Sequence, residues 1–281
     1  MNLRESFSIS VTSIFSQKLR SALTLLGVVI GVMTIIATMS IVEGLKNLMD
    51  REMSQLSASV FQVQRYDVNI GIHVGRRRRQ YRPKITMREV RAIQRNVPLV
   101  ANVAPEVWKF AATVKYKNVA THPINNVCGG VPGSFPNNAY YVESGRAITD
   151  QDVQFARPVV VLGSKVAQKL FPYRDPLGEH VTVDGQRALV VGVLQEFGSV
   201  LNRNADYLVV IPITTFTQWW GAERSWNITI QVRDPKHMDD AIDQTIAALR
   251  SARGLRPGEE NNFAIWHSDQ LIDSFNQMTK W

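Results

Sequence analysis

The longest apolar run in the chain extends from Leu23 to Val42, twenty consecutive positions without a charge. At about 1.5 Å per residue it crosses a hydrocarbon core of about 30 Å, and it lacks the polar face of an amphipathic core helix. The next apolar stretches, Pro158 to Leu162 and Ala188 to Leu194, are only strand-length. The pattern therefore predicts one membrane-spanning helix over residues 21–42. A cleavable signal would share the preceding Lys18 and Arg20, but its apolar core usually holds ~7–15 residues and ends at a small-x-small site, which this run lacks. The helix is expected to stay attached.

Before the span, Leu3, Phe7, Val11 and Ile14 recur at helical spacing among serines, which predicts an amphipathic elbow helix on the inner membrane surface within residues 1–20. Beyond it, Leu45, Leu48, Met49, Met53 and Leu56 continue the helical pattern with charges between them, predicting a stalk helix over 43–57. The period then changes to two. Val60 to Arg65 alternates as a half-buried strand does, Thr86 caps a helix to Asn96, and Val100 to Tyr116 reads as one or two strands. The same order returns later: Trp226 to Val232 as strand, His237 to Ala252 as helix, Phe263 to Trp266 as strand.

Two β-α-β units separated in sequence predict an α+β fold in which residues 58–116 and 222–267 form one split subdomain. Residues 117–221 between them, punctuated by Gly129-Gly130, Pro132-Gly133, Pro176, Gly178 and Pro212, form an inserted strand-rich subdomain. Within it, Asp184-Gly185 marks a hairpin with a type I′ turn. A final helix, capped by Ser268 with Leu271, Ile272, Phe275 and Met278 on one side, is expected over 268–281 as a stalk leading toward a further span.

Charge refines this picture. The net charge of +8 is matched by residues 76–95 alone, where nine cations face the single carboxylate of Glu89. Arg76, Arg77, Arg78 and Arg79 read as loop, while Arg88, Arg91 and Arg95 lie on the helix opposite Val90, Ile93 and Val97. This is a solvated basic face or, in the sharper reading, a docking surface for an acidic partner or anionic lipid. Nucleic acid is not expected, because no aromatic residues interleave the cations and the domain lies outside the cytoplasm. That orientation follows from Arg4, Lys18 and Arg20 before the span, against Lys46 and Arg51 diluted by Glu43, Asp50 and Glu52 after it. Cys128, the lone cysteine, reads as a buried thiol without an intrachain disulfide.

The chain offers no catalytic constellation. His73, His122, His180, His237 and His267 have no ligand spacing, and Gly163-Ser164-Lys165 lacks the upstream glycine of a phosphate loop. Ser164 instead starts a helix to Phe171. Asp150 and Asp152 could hold a cation, but a capped turn explains them as well. Inside the span, Gly27 and Gly31 form a G-x-x-x-G that permits close helix packing.

Two blocks carry a family resemblance. Lys18-Leu-Arg-Ser-Ala-Leu-Thr-Leu-Leu-Gly27-Val-Val-Ile-Gly31-Val is similar to the first-span entry of MacB/FtsX-type ABC transporter permeases. Gly145-Arg146, Val159-Val-Val-Leu-Gly163-Ser, Leu170-Phe, Asp175-Pro-Leu-Gly178, Val190-Val-Gly-Val193 and Ile211-Pro212 resemble the MacB-type periplasmic core domain. The resemblance implies a porter-like split subdomain, a location in the bacterial inner membrane, and a mechanotransmitting permease that is not itself an enzyme. It also implies a second permease copy or homologous permease, a separate ATPase subunit that binds ATP and Mg²⁺, a periplasmic adaptor as a further partner, and three more spans beyond Trp281. The competing expectation is a single-span periplasmic binding or adaptor protein with no ATPase partner.

Overall fold

The computed structural model describes residues 18–55, 59–66, 82–197 and 205–267; within the first helix, side chains are described at 19, 20 and 22–44. The elbow segment, Arg76 to Arg79 and the C-terminal stalk lie outside the described residues. Helix α1, Lys18–Gln55, runs without a break for 38 residues, or about 57 Å. Its portion Ala22–Gly44 is long and apolar enough to cross a membrane. The threonine hydroxyls in that portion are satisfied locally. The hydroxyls of Thr34 and Thr38 each donate to the carbonyl four residues back at 2.8 Å, as lipid requires of any hydroxyl without another partner.

Residues from Met53 onward form a separate compact unit, whose described residues hold three buried hydrophobic clusters, one on a first sheet and one on each face of a second. The first is built on β1 (Val60–Gln64), α2 (Met87–Asn96), the first half of β2 (Val100–Ala112), and three elements near the C-terminus: β11 (Asn227–Val232), α7 (Met238–Arg253) and β12 (Ala264–His267). Its strands lie in the order β12-β1-β11-β2, every neighbouring pair antiparallel, which is the arrangement two β-α-β units adopt when they interleave. The strands are half-buried. Phe61 and Val63 on β1 face the helices while Gln62 and Gln64 alternate away from them.

The ends of α2 and α7 follow their sequence signals. Thr86 and Glu89 form a capping box at the start of α2, with the Thr86 amide donating to Glu89 Oε2 at 2.9 Å. Gly254, at φ +66°, closes α7 in the left-handed region, and the Leu255 amide donates back to the Arg250 carbonyl at 3.0 Å.

The second half of β2 enters the other core. There it pairs with β5 (Asn125–Gly130), and the sheet continues through β10 (Leu208–Pro212), β7 (Val159–Leu162), β9 (Gln186–Leu194), β8 (His180–Val183), β3 (Val114–Tyr116) and β4 (Val119–Ala120); β6 (Val142–Gly145) pairs with β9. Four short helices accompany these strands: α3 (Ser134–Asn137), α4 (Asp150–Gln154), α5 (Ser164–Leu170) and α6 (Ile213–Trp220). This sheet is covered on both faces, which is why β7 and β10 read as continuous apolar runs rather than alternating ones. Val209 and Ile211 point into one core cluster, and Leu208 and Val210 into the cluster on the opposite face. The hairpin of β8 and β9 turns at Asp184 (φ +45°) and Gly185 (φ +87°), the two positive angles a type I′ turn demands.

The sequence pattern puts the boundary between subdomains after Tyr116, but the change of core falls earlier, inside β2. Val103 belongs to the first core, whereas Val107, Ala112, Val114 and Tyr116 belong to the second. A continuous strand gives no compositional break, so periodicity alone could not mark the point.

Candidate functional site

α3 rests on the face of the first sheet opposite to the helices, and the contact is polar. Asn102 Nδ2 donates to the Gly133 carbonyl and to Asn137 Oδ1, both at 2.8 Å. Asn137 Nδ2 in turn donates to the Thr229 carbonyl at 3.0 Å and to its hydroxyl oxygen at 3.1 Å. A Cβ on Gly133 would stand 2.4 Å from Asn102 Oδ1, so a larger residue there would push the Asn102 side chain out of this contact.

Glu106 lies at the centre of this seam. Its side chain is buried on β2, opposite Asn227 of β11, and its Oε1 accepts from Asn138 Nδ2 at 2.5 Å and from the Thr229 hydroxyl at 3.3 Å. None of the ion pairs among the described residues includes it. Burial pushes its carboxyl up to about 7, although hydrogen bonds from Asn138, Ser134, Thr229 and Trp108 pull the other way. Next to it the Cys128 thiol, fully buried and without a disulfide, is pushed well up by burial and then by the Glu106 charge, so it stays protonated and unreactive. The sequence did carry a signal for Glu106: a carboxylate inside the apolar strand run Val103 to Val107.

The other residues singled out from sequence are dispersed. On α1, a Cβ added at Gly27 or Gly31 would meet none of the described residues beyond the helix's own backbone within 4 Å. Arg88, Arg91 and Arg95 are exposed on α2, and the Arg88 guanidinium reaches Glu89 at 3.4 Å. Asp150 and Asp152 belong to a capped helix: Asp152 closes a capping box with Thr149 and holds Arg146 at 2.6 Å and Arg157 at 3.7 Å. Burial raises the Asp152 carboxyl, but the Arg146 hydrogen bond and those from Thr149 outweigh it and hold the group at about 2. Ser164 starts α5 and its hydroxyl donates to Asp206 at 3.2 Å. Among the described residues, no group of three His, Cys, Asp or Glu side chains could hold a metal ion.

Residues 21–248 match the family described as MacB-like periplasmic core domain. The pyoverdine export ATP-binding/permease protein PvdT of Pseudomonas syringae pv. tomato is 32% identical over 263 residues, covering 92% of this chain and 37% of that protein. The uncharacterized ABC transporter permease YknZ of Bacillus subtilis is 22% identical over 281 residues, covering 99% of this chain and 68% of that protein. The chain thus spans little more than a third of its PvdT relative. The crystal structure of the periplasmic region of MacB from Actinobacillus actinomycetemcomitans superposes with a TM-score of 0.66 at 19% identity, covering 81% of this chain and 97% of that one, which shows a shared fold. With the apolar α1 leading into an interleaved α+β domain of this kind, the chain belongs to the MacB-like periplasmic core domain family of ABC transporter permeases.

Proposed function

We propose that the chain is the N-terminal part of a MacB-type ABC transporter permease, which couples ATP hydrolysis on a separate cytoplasmic ATPase chain to movement of its extracytoplasmic domain. The unbroken course of α1 carries this reading. Only Ala22–Gly44 is needed to span the bilayer, yet the helix continues to Gln55. A helix hydrogen-bonded along its length passes axial or tilting motion onward with little loss. In this reading the N-terminus is cytoplasmic, the ATPase binds ATP and Mg²⁺, and a second permease copy packs against α1. The names of the relatives, an export protein with an ATP-binding part and a permease, support the class of function without selecting a cargo.

The coding sequence beyond Trp281 tests the proposal directly. Three further apolar runs of about twenty residues are expected there. A stop codon immediately after Trp281 would sink the permease reading and leave a single-span adaptor. A second test uses cysteine labelling in intact cells, in a Cys128→Ala background. An impermeant maleimide is expected to reach Tyr173→Cys and to spare Ser8→Cys, and the reverse pattern would overturn the orientation.

A further inference from the structure

The seam beneath α3 joins two cores through a carboxylate that makes no ion pair among the described residues. We propose that Glu106 is a proton-controlled latch between the two halves of the extracytoplasmic domain: neutral, it holds α3 against β2 and β11, and ionised, it favours an opened seam in which water reaches the carboxylate.

Position and surroundings carry this inference. Glu106 is 1% exposed and stands where both halves contribute partners: Thr229 from the first sheet, and Ser134 and Asn138 from α3 and its cap. Those donors are uncharged. Of the elements packed against it, β11 presents Asn227 and Thr229, α3 and its cap present Ser134, Asn137 and Asn138, and β5 presents the Cys128 thiol, which stays protonated. Lys109, three positions along β2, faces the other side and pairs with Asp184. A buried carboxylate held only by neutral donors pays a large desolvation penalty when it ionises, and hydration through an opened seam relieves it.

The sign follows from linkage. In the closed seam the carboxyl titrates near 7, and in water near 4.5, so closing takes up a proton between these values. The ratio of open to closed seam therefore rises with pH by up to about tenfold per unit across that window, and is flat beyond either end.

Hydrogen exchange of the full chain in nanodiscs from pH 5.5 to 8.5, corrected for intrinsic exchange rates, tests this. Protection of segments 134–138 and 227–232 is expected to fall several-fold with rising pH in the wild type, and to stay flat in Glu106→Gln, which keeps the shape and remains neutral. Thr229→Val, which removes one donor to the carboxylate, is expected to move the midpoint to higher pH and so tests the latch independently should Glu106→Gln not fold. A flat wild-type profile, an unmoved midpoint in Thr229→Val, an equal slope in Glu106→Gln, or a loss of protection shared equally by strand β7 would each overturn the proposal.

Discussion

Arg253 Nε lies 3.3 Å from Glu89 Oε1, and both side chains are 2% exposed. This buried pair ties the last turn of α7 to the first turn of α2. The hydrogen bonds of this guanidinium come from its Nη atoms, which reach the Asn262 carbonyl at 3.0 Å, Asn262 Oδ1 at 2.7 Å and the Lys84 carbonyl at 3.2 Å. Burial raises the Glu89 carboxyl, but the Thr86 hydrogen bonds and Arg253 bring it below its usual value. Removing one partner leaves the other's charge buried with weaker compensation, since among the described residues Glu89 keeps only the exposed Arg88, at 3.4 Å, as a cation. Arg253→Met is therefore expected to destabilise the domain by about 3–5 kcal/mol, and Glu89→Gln combined with Arg253→Met by distinctly less than the sum of the two single changes. Denaturant unfolding of the four forms measures the difference.

Asp152 gives a pH prediction of opposite sign to Glu106. Its folded carboxyl sits at about 2, below the ordinary 3.8, so the stability it contributes is complete above about 3.8 and is lost as pH falls through 2. Asp152→Asn is expected to cost about 2 kcal/mol at pH 7, with the gap to wild type narrowing below pH 4. Urea unfolding across this range would show the convergence; a gap of constant size would contradict it.

A Cβ added at Gly27 or Gly31 meets no described residue, which leaves a bare helix face there. If a second permease helix packs there, Gly27→Leu with Gly31→Leu weakens cross-linking between copies at least several-fold and leaves the melting of the domain that follows α1 unchanged. Unaltered cross-linking would move the packing face elsewhere on α1.

The basic segment makes a salt-dependent prediction. The full chain in zwitterionic nanodiscs is expected to capture anionic vesicles at low ionic strength and to release them in high salt, because exposed cations such as Arg88, Arg91 and Arg95 are screened beyond about 10 Å at 0.1 M. Changing Arg76, Arg77, Arg78 and Arg79 to Gln should reduce capture. Equal capture by both forms would leave the arginines as a solvated face.

Much of this architecture was legible along the chain, for reasons particular residues make plain. Thr86 with Glu89 and Asp184 with Gly185 encode their cap and turn within four residues, so local chemistry sufficed. The apolar run Pro158 to Leu162 was of strand length, and Val159–Leu162 forms β7, buried at all four positions. The seam was not legible, because it brings together Asn102, Asn137 and Thr229, up to 127 positions apart, and is specified by shape and hydrogen bonding rather than by periodicity. Glycines counted as punctuation gained a second meaning there. Gly129 and Gly133 break the pattern, and they also let side chains close in: a Cβ on Gly129 would collide with Phe216 and Val107, and one on Gly133 would displace Asn102.

Strand β2 belongs to both cores: Val103 is packed into one and Val107 into the other, four residues apart on one backbone. Melting either core frays the strand on which the other is templated. The domain that follows α1 is therefore expected to lose its structure as one cooperative unit, with a single calorimetric peak whose van't Hoff and calorimetric enthalpies agree, even though its chain folds around more than one core.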